Sequence, residues 1–518
     1  MPSQEQWRPK GNPWAIAVAV TMVAFMEVLD TTIVNVALPH IAGSMSAGQD
    51  EATWTLTSYL VANGIVLPIS GFFSRLLGRK RYFLTCIAMF TLCSLMCGLS
   101  TSLPEIIVFR LLQGFFGGGL QPNQQSIILD TFEPSQRGRA FSVVALATIV
   151  APVLGPSLGG WITDNYSWRW IFFINVPVGV LTFFAVMHLV EDPPWLKREK
   201  GKKISVDYIG LSLIALGLGS MQVMLDRGED DDWFSSPLIR FFAASAAICI
   251  SSAVAWLLYT KNPVVNLRVM KDKNFALGCL SIFCMASILY SSAVLLPQLA
   301  QQQLGYTATW AGFILSPGAI LIIFMIPLIT KAMPHIQTRL FIACGFVALG
   351  FAFLYAHRLT PQIDFRTLAW MRTAQTFGIG FLFVPISTIA YSTIPKNLNS
   401  DATSLFTMFR NVAGSIGISI ASAMVTSRTQ IRMAHLGEYM TPLYQPFNEA
   451  ISQIKSALVT DGNPPGLAQG VMYRNFISQA SILAYGDIFE YCALLAFMVA
   501  PIAFLFSAKK GKGGGAAH

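Results

Sequence analysis

Charge is scarce in this chain. Asp, Glu, Lys and Arg together make up 12% of its 518 residues, about half the share of a soluble globular protein. A shortage sustained over the whole length excludes a soluble fold and leaves an integral membrane protein. Cysteine patterning is missing too. Cys86, Cys93, Cys97, Cys249, Cys279, Cys284, Cys344 and Cys492 all fall in apolar runs with no CxxC pair. They read as small core hydrophobes, not as disulfide partners or zinc ligands. Neither G-x-x-x-x-G-K-[ST] nor HExxH occurs, which excludes a P-loop ATPase and a zincin site within the chain. The formal G-x-S-x-G around Ser157 sits in an apolar span, not in the strand–turn–helix that a nucleophile elbow requires. The net charge of +9 is scattered through short connectors without a basic, aromatic-interleaved patch, so nucleic acid is not an expected partner.

What the chain does have is apolar length. Fourteen runs of about 20 mostly apolar residues begin near residues 14, 53, 82, 105, 140, 170, 207, 237, 274, 309, 340, 367, 402 and 486. No cleavage site follows the first run, which is expected to stay. An even number puts both termini on one side, and the positive-inside rule makes that side cytoplasmic. "RLLGRKR", "KREKGKK", "RVMKDK" and the tail "KKGKGGG" all fall there, whereas "DRGEDDDW" falls opposite. The chain then divides into a cytoplasmic tail (1–13), a six-helix bundle (14–191), a charged linker with two inserted helices (192–272), a second six-helix bundle (273–508) and a cytoplasmic tail (509–518). The second bundle includes a long extracytoplasmic loop at 426–485, out of proportion to the other connectors.

The halves repeat. "ATW" opens spans at 52–54 and 308–310, "LP" recurs at 38–39 and 296–297, and "RLLQGFFGGGLQP" at 110–122 parallels "RTAQTFGIGFLFVP" at 372–385. These offsets share a value near 260 residues. A parallel repeat of this kind is a transporter architecture, with substrate handled between the halves. The expected fold is therefore all-α and membrane-integral, two six-helix bundles plus two inserted helices.

Chemistry concentrates where charge interrupts apolar spans. Glu27 and Asp30 lie three residues apart in "FMEVLDTTIVNVALP", on one helix face a turn apart. A carboxylate at a bilayer centre costs at least ~2.5–3.5 kcal/mol on insertion scales, so both are functional candidates. Arg110 in span four, with Gln113 one turn on, is the expected partner of Asp30. Arg372 in span twelve lies near enough to its span's end to snorkel. Asp487 and Glu490, near the start of span fourteen, read as interfacial. Asn35, Asn63, Gln113, Gln121, Gln375, Arg410 and Asn411 are candidates for the substrate cavity. Pro152, Gly155, Pro156 and Gly159 in span five are expected to kink that helix and let a neighbour approach closely. Gly71, Arg75, Gly78 and Arg79 in "GFFSRLLGRKR" form either a positive-inside anchor or a gating loop.

These motifs carry a resemblance. "LDTTIVNVALP", "RLLQG" and "APVLGPSLGG" resemble the span-one, span-four and span-five motifs of the fourteen-span drug:proton antiporter branch of the major facilitator superfamily. "WRWIFFINVPVG", "MLDRGEDDDWFSS" and "LGYTATWAG" extend the likeness over essentially all spans. The resemblance implies two bundles that alternate between inward and outward openings, with protons exchanged for small hydrophobic or amphipathic drugs. It implies no cofactor beyond the proton-motive force. It also implies a bacterial inner-membrane location, with a periplasmic membrane-fusion adaptor and an outer-membrane channel as partners. A narrower exporter of fatty acids, siderophores or another metabolite is the alternative. One departure stands out: Arg75 occupies a position that is acidic in the family's loop, which removes one member of the usual gating ion pair.

Overall fold

A computed structural model describes residues 9–193, 206–441, 443–460 and 464–507. The first half contains α1 (Pro13–Ser44), α2 (Gln49–Leu77), α3 (Arg79–Leu99), α4 (Leu103–Gly117), α5 (Leu120–Thr131), α6 (Arg137–Asn165), α7 (Trp170–Phe173) and α8 (Asn175–Leu189). Then come α9 (Tyr208–Arg227) and α10 (Pro237–Tyr259). The second half contains α11 (Lys273–Gln302), α12 (Ala308–Phe313), α13 (Ser316–Ala332), α14 (Thr338–Ala356), α15 (Phe365–Gly380), α16 (Phe383–Ala390), α17 (Asn399–Gly437), α18 (Gln445–Thr460) and α19 (Ala468–Val499). Several pairs are one span with a break: α4 with α5, α7 with α8, α12 with α13, and α15 with α16. Among the described residues thirteen helices are long and apolar enough to cross a membrane, and α6, bent by 40° between Pro152 and Leu154, makes a fourteenth.

Local chemistry sets the helix starts. Asn12 accepts the Trp14 N–H ahead of Pro13, Asp207 caps α9 at Gly210, Asp272 caps α11 at Phe275, and Asp364 caps α15 at Thr367. Each satisfies a donor that the first turn cannot bond internally. α2 and α3 meet at Gly78, whose φ of +88° suits a residue without Cβ. Large apolar side chains such as Leu181, Phe241, Phe324, Leu328 and Met498 stand exposed on the outer flanks, as expected of surfaces that face lipid.

The repeat is visible in the helices themselves. α4 and α15 begin at residues 103 and 365, and α6 and α17 at 137 and 399, an offset of 262 in both cases. α1 packs along α6 as α11 packs along α17. Gly155 lies so close to α1 that a Cβ would collide with Thr32, and at its repeat mate Gly417 a Cβ would sit 2.7 Å from Ser287 O on α11. Small residues at these crossings let the backbones approach.

Two sequence expectations shift. The last helix begins at Ala468, ahead of the apolar run expected from near 486, and α17 continues to Gly437. Much of the loop expected at 426–485 is thus helix extending the spans at either end, followed by α18. The hydropathy pattern missed it because polar residues such as Arg474, Asn475, Ser478 and Gln479 interrupt the apolar run. The charged linker expected at 192–206 falls largely outside the described residues, as do most of both tails.

Candidate functional site

Asp30 is fully buried in the first half. Its carboxylate accepts hydrogen bonds from Arg110 Nη1 at 2.6 Å, Gln113 Nε2 at 3.2 Å and Asn175 Nδ2 at 2.6 Å. α4 supplies the first two donors and α8 the third. Arg110 is itself anchored: Nη1 donates to Gln113 Oε1 at 2.9 Å, Nε donates to Thr55 O at 3.2 Å, and the guanidinium lies 4.2 Å from the Tyr59 ring centroid. Asn175 also donates to Ser94 Oγ at 3.0 Å. Four helices around α1 therefore converge on one carboxylate. The pairing of Asp30 with Arg110 matches the sequence reading; Gln113, a cavity candidate there, is instead a buried donor to Asp30, and Asn175, Ser94 and Thr55 have no place in that reading.

Glu27 turns elsewhere. Its Oε1 accepts from Asn63 Nδ2 at 3.0 Å, while Oε2 is buried without a partner beside Gln121. Gln121 in turn accepts a hydrogen bond from Arg410 Nη2 on α17, and Asn411 Oδ1 lies 3.4 Å from Arg410 Nη2 and Nε. The two acids, one turn apart, thus serve different networks. Asp30 is held inside the first bundle, and Glu27 reaches through Gln121 toward the second. Asn35, a turn and a half beyond Asp30, is exposed. Gln375 is buried to 0% exposure and bonds Arg372, so it faces no open cavity. Gly155 and Gly159 act in the α1–α6 crossing, facing Thr32 and Ile33, and Pro152 stands at the bend of α6 with Pro156 one turn on.

The loop residues tie the halves together at the face where α1 begins. Arg75 pairs with Asp401, and Arg79 pairs with Asp130 while donating to Ser400 Oγ at 2.9 Å. Asn399 Nδ2 donates to Asp130 Oδ1 at 2.7 Å, Ser126 and Thr403 hydroxyls lie 2.6 Å apart, and Gly71 packs on the Ser400 carbonyl. The ion pair that the departure at Arg75 seemed to remove is present with its acid on α17, 326 residues away. These contacts place the stretch at the seam between the two halves.

One charge is placed differently from expectation. Arg372 does not snorkel: it is 4% exposed and donates to Ser292 Oγ at 2.7 Å and to Gln375 Oε1 at 3.3 Å. Asp487, read as interfacial, sits in the middle of α19. It is buried and bidentate with Arg432, at 2.5 and 3.1 Å. Glu490 is half-exposed, 3.9 Å from His357 Nδ1. No group of three or more His, Cys, Asp or Glu side chains able to hold a metal occurs among the described residues.

Chemically, the centre is a buried charge pair. Removing either partner would leave the other as a buried, uncompensated charge, and breaking such a pair costs about 3–5 kcal/mol.

A repeated, all-helical membrane protein with a buried carboxylate–guanidinium pair in one half and an interbundle latch at one face is a two-bundle transporter by architecture. The Major Facilitator Superfamily profile matches residues 20–418, and the chain belongs to that family. It is 35% identical over 501 residues to the multidrug export protein EmrB of Escherichia coli K12, spanning 96% of each chain. It is also 33% identical over 500 residues to the fatty acid resistance protein FarB of Neisseria gonorrhoeae, spanning 96% of this chain and 97% of that one. Among solved structures, the human organic anion transporter MFSD10 superposes with a TM-score of 0.58 at 12% identity, covering 95% of this chain and all of that one.

Proposed function

We propose that this protein is a proton-coupled antiporter that exports hydrophobic or amphipathic toxic compounds, with Asp30 as the proton carrier. The observation that carries the reading is the Asp30–Arg110–Gln113–Asn175 centre, a buried charge pair whose protonation state the whole bundle must accommodate. Support for the substrate class comes from the EmrB and FarB relatives, the latter also supporting a second reading as a fatty-acid exporter. Neither a P-loop nor a metal site is needed, because the proton-motive force supplies the drive. One proton crossing ~100 mV yields ~2.3 kcal/mol and one pH unit adds ~1.4. Together they sustain roughly a 500-fold gradient of a neutral substrate.

The positive-inside pattern favours both termini in the cytoplasm of a bacterial inner membrane. In that orientation the Arg75–Asp401 and Arg79–Asp130 latch closes the cytoplasmic side, and the extension of α17, α18 and the start of α19 project into the periplasm. That projection is the proposed docking surface for a membrane-fusion adaptor leading to an outer-membrane channel.

The decisive experiment uses purified protein in liposomes with an imposed proton gradient and a fluorescent lipophilic substrate. Asp30→Asn is expected to fold, bind substrate and lose gradient-driven transport. Wild-type gradient-driven transport by Asp30→Asn would overturn the assignment. Parallel assays with a long-chain fatty acid separate the two substrate readings.

A further inference from the structure

The two halves place the same three positions at one spacing. Asp30, Arg110 and Gln113 in the first half become Ser292, Arg372 and Gln375 in the second, each 262 residues on. The geometry repeats as well. In the first half Gln113 takes Arg110 through Oε1 and gives its Nε2 to the Asp30 carboxylate. In the second half Gln375 takes Arg372 through Oε1 in the same way, but its Nε2 has no partner.

Arg372 is short of partners too. Nη1 reaches the Ser292 hydroxyl at 2.7 Å, and that hydroxyl spends its own proton on Leu289 O at 3.0 Å. Nε of Arg372 is buried with no acceptor. No ion pair among the described residues includes Arg372. Arg372, Ser292 and Gln375 are 4%, 1% and 0% exposed, so water does not screen the charge. A guanidinium buried without a counter-charge is strongly disfavoured, and orphaned buried donors add to that cost. Both deficits have one remedy, a negative charge beside Ser292, where the shorter hydroxyl side chain replaces a carboxylate.

We propose that Arg372, Gln375 and Ser292 form a binding site for a small monovalent anion, chloride under ordinary ionic conditions. The anion accepts from the Arg372 guanidinium and from Gln375 Nε2, the role that the Asp30 carboxylate plays in the first half. Chloride takes up no proton in the physiological range. The second half therefore keeps its charge pair at every pH.

The test follows thermal unfolding and radiolabelled chloride binding of the purified full-length protein, in sodium chloride against sodium gluconate at constant ionic strength. Wild type is expected to bind chloride and to show a saturable rise of several degrees in Tm. Ser292→Asp, which carries its own carboxylate, is expected to reach the raised Tm in gluconate and to ignore chloride. Gln375→Leu should weaken chloride affinity about tenfold, the loss of one hydrogen bond to a charged group. It stands in should the Asp variant fail to fold. Chloride binding in wild type that is unchanged by both substitutions would place the ion elsewhere and overturn the site. Absence of chloride binding in wild type would overturn it outright.

Discussion

The first half of the molecule carries two acids in its opening helix, and the second half carries none at the matching places. Glu27 and Asp30 correspond, 262 residues on, to Leu289 and Ser292. The partners on the neighbouring helix persist, Arg110 and Gln113 as Arg372 and Gln375, and so do the close helix crossings at Gly155 and Gly417. The two halves share the scaffold and these basic and amide groups, while the acids at these two positions occur in the first half alone. On the proposed function, such a carrier would sense protons with one bundle and use the other as a fixed reference.

Arg110 offers the strongest way to break that asymmetry. Arg110→Ala strands Asp30 as a buried charge, a loss of about 3–5 kcal/mol, and should abolish transport and lower Tm. Arg110→Lys retains the charge and should keep part of the transport rate. Full activity of both variants, measured in liposomes, would make the guanidinium a structural residue only.

Shared packing is tested next. Gly155→Val and Gly417→Val each force a branched side chain into a helix crossing, and overpacking of this kind costs about 1–3 kcal/mol. Comparable falls in Tm are expected if the two halves use the crossing alike. Tolerance of one and not the other would show that the repeat has diverged in packing as well as in charge.

The smallest effect belongs to Glu27. Glu27→Gln should leave export of neutral compounds near wild type. If Glu27 carries a second proton, export of a monovalent cation by the variant becomes electroneutral and loses ~2.3 kcal/mol of drive per 100 mV. Transport under an imposed potential without a pH gradient reads this directly. A variant that responds to potential as wild type does would leave Glu27 as a hydrogen-bonding residue of the interbundle contact.

The sequence made some of these features legible and hid others for physical reasons. Asp30 and Arg110 announce themselves because a charge in an apolar span is costly, so each needs a partner. Asn175 and Ser94 complete the same centre yet carry no such signal, since an uncharged polar side chain is common enough in a membrane helix. Arg372 was misplaced because distance from a span's end does not say which way a long side chain runs. Arg75 and Asp401 are paired only by the fold, as no local pattern joins residues so far apart.

The inserted hairpin has one more consequence. α9 lies in the groove between α2 and α17, where Gln222 Nε2 reaches Ser415 Oγ at 3.1 Å, Ser419 Oγ reaches Leu225 O at 2.7 Å and Arg227 reaches Thr53 Oγ1 at 2.9 Å. On the other flank, where α6 meets α12 and α13, Leu154, Trp161, Ile320 and Phe324 face outward uncovered. The bilayer thus borders the two seams between the bundles unequally. One is roofed by a helix that holds on to both sides, while the other stays bare to acyl chains. A lipophilic solute dissolved in the membrane meets a molecule with a front and a back.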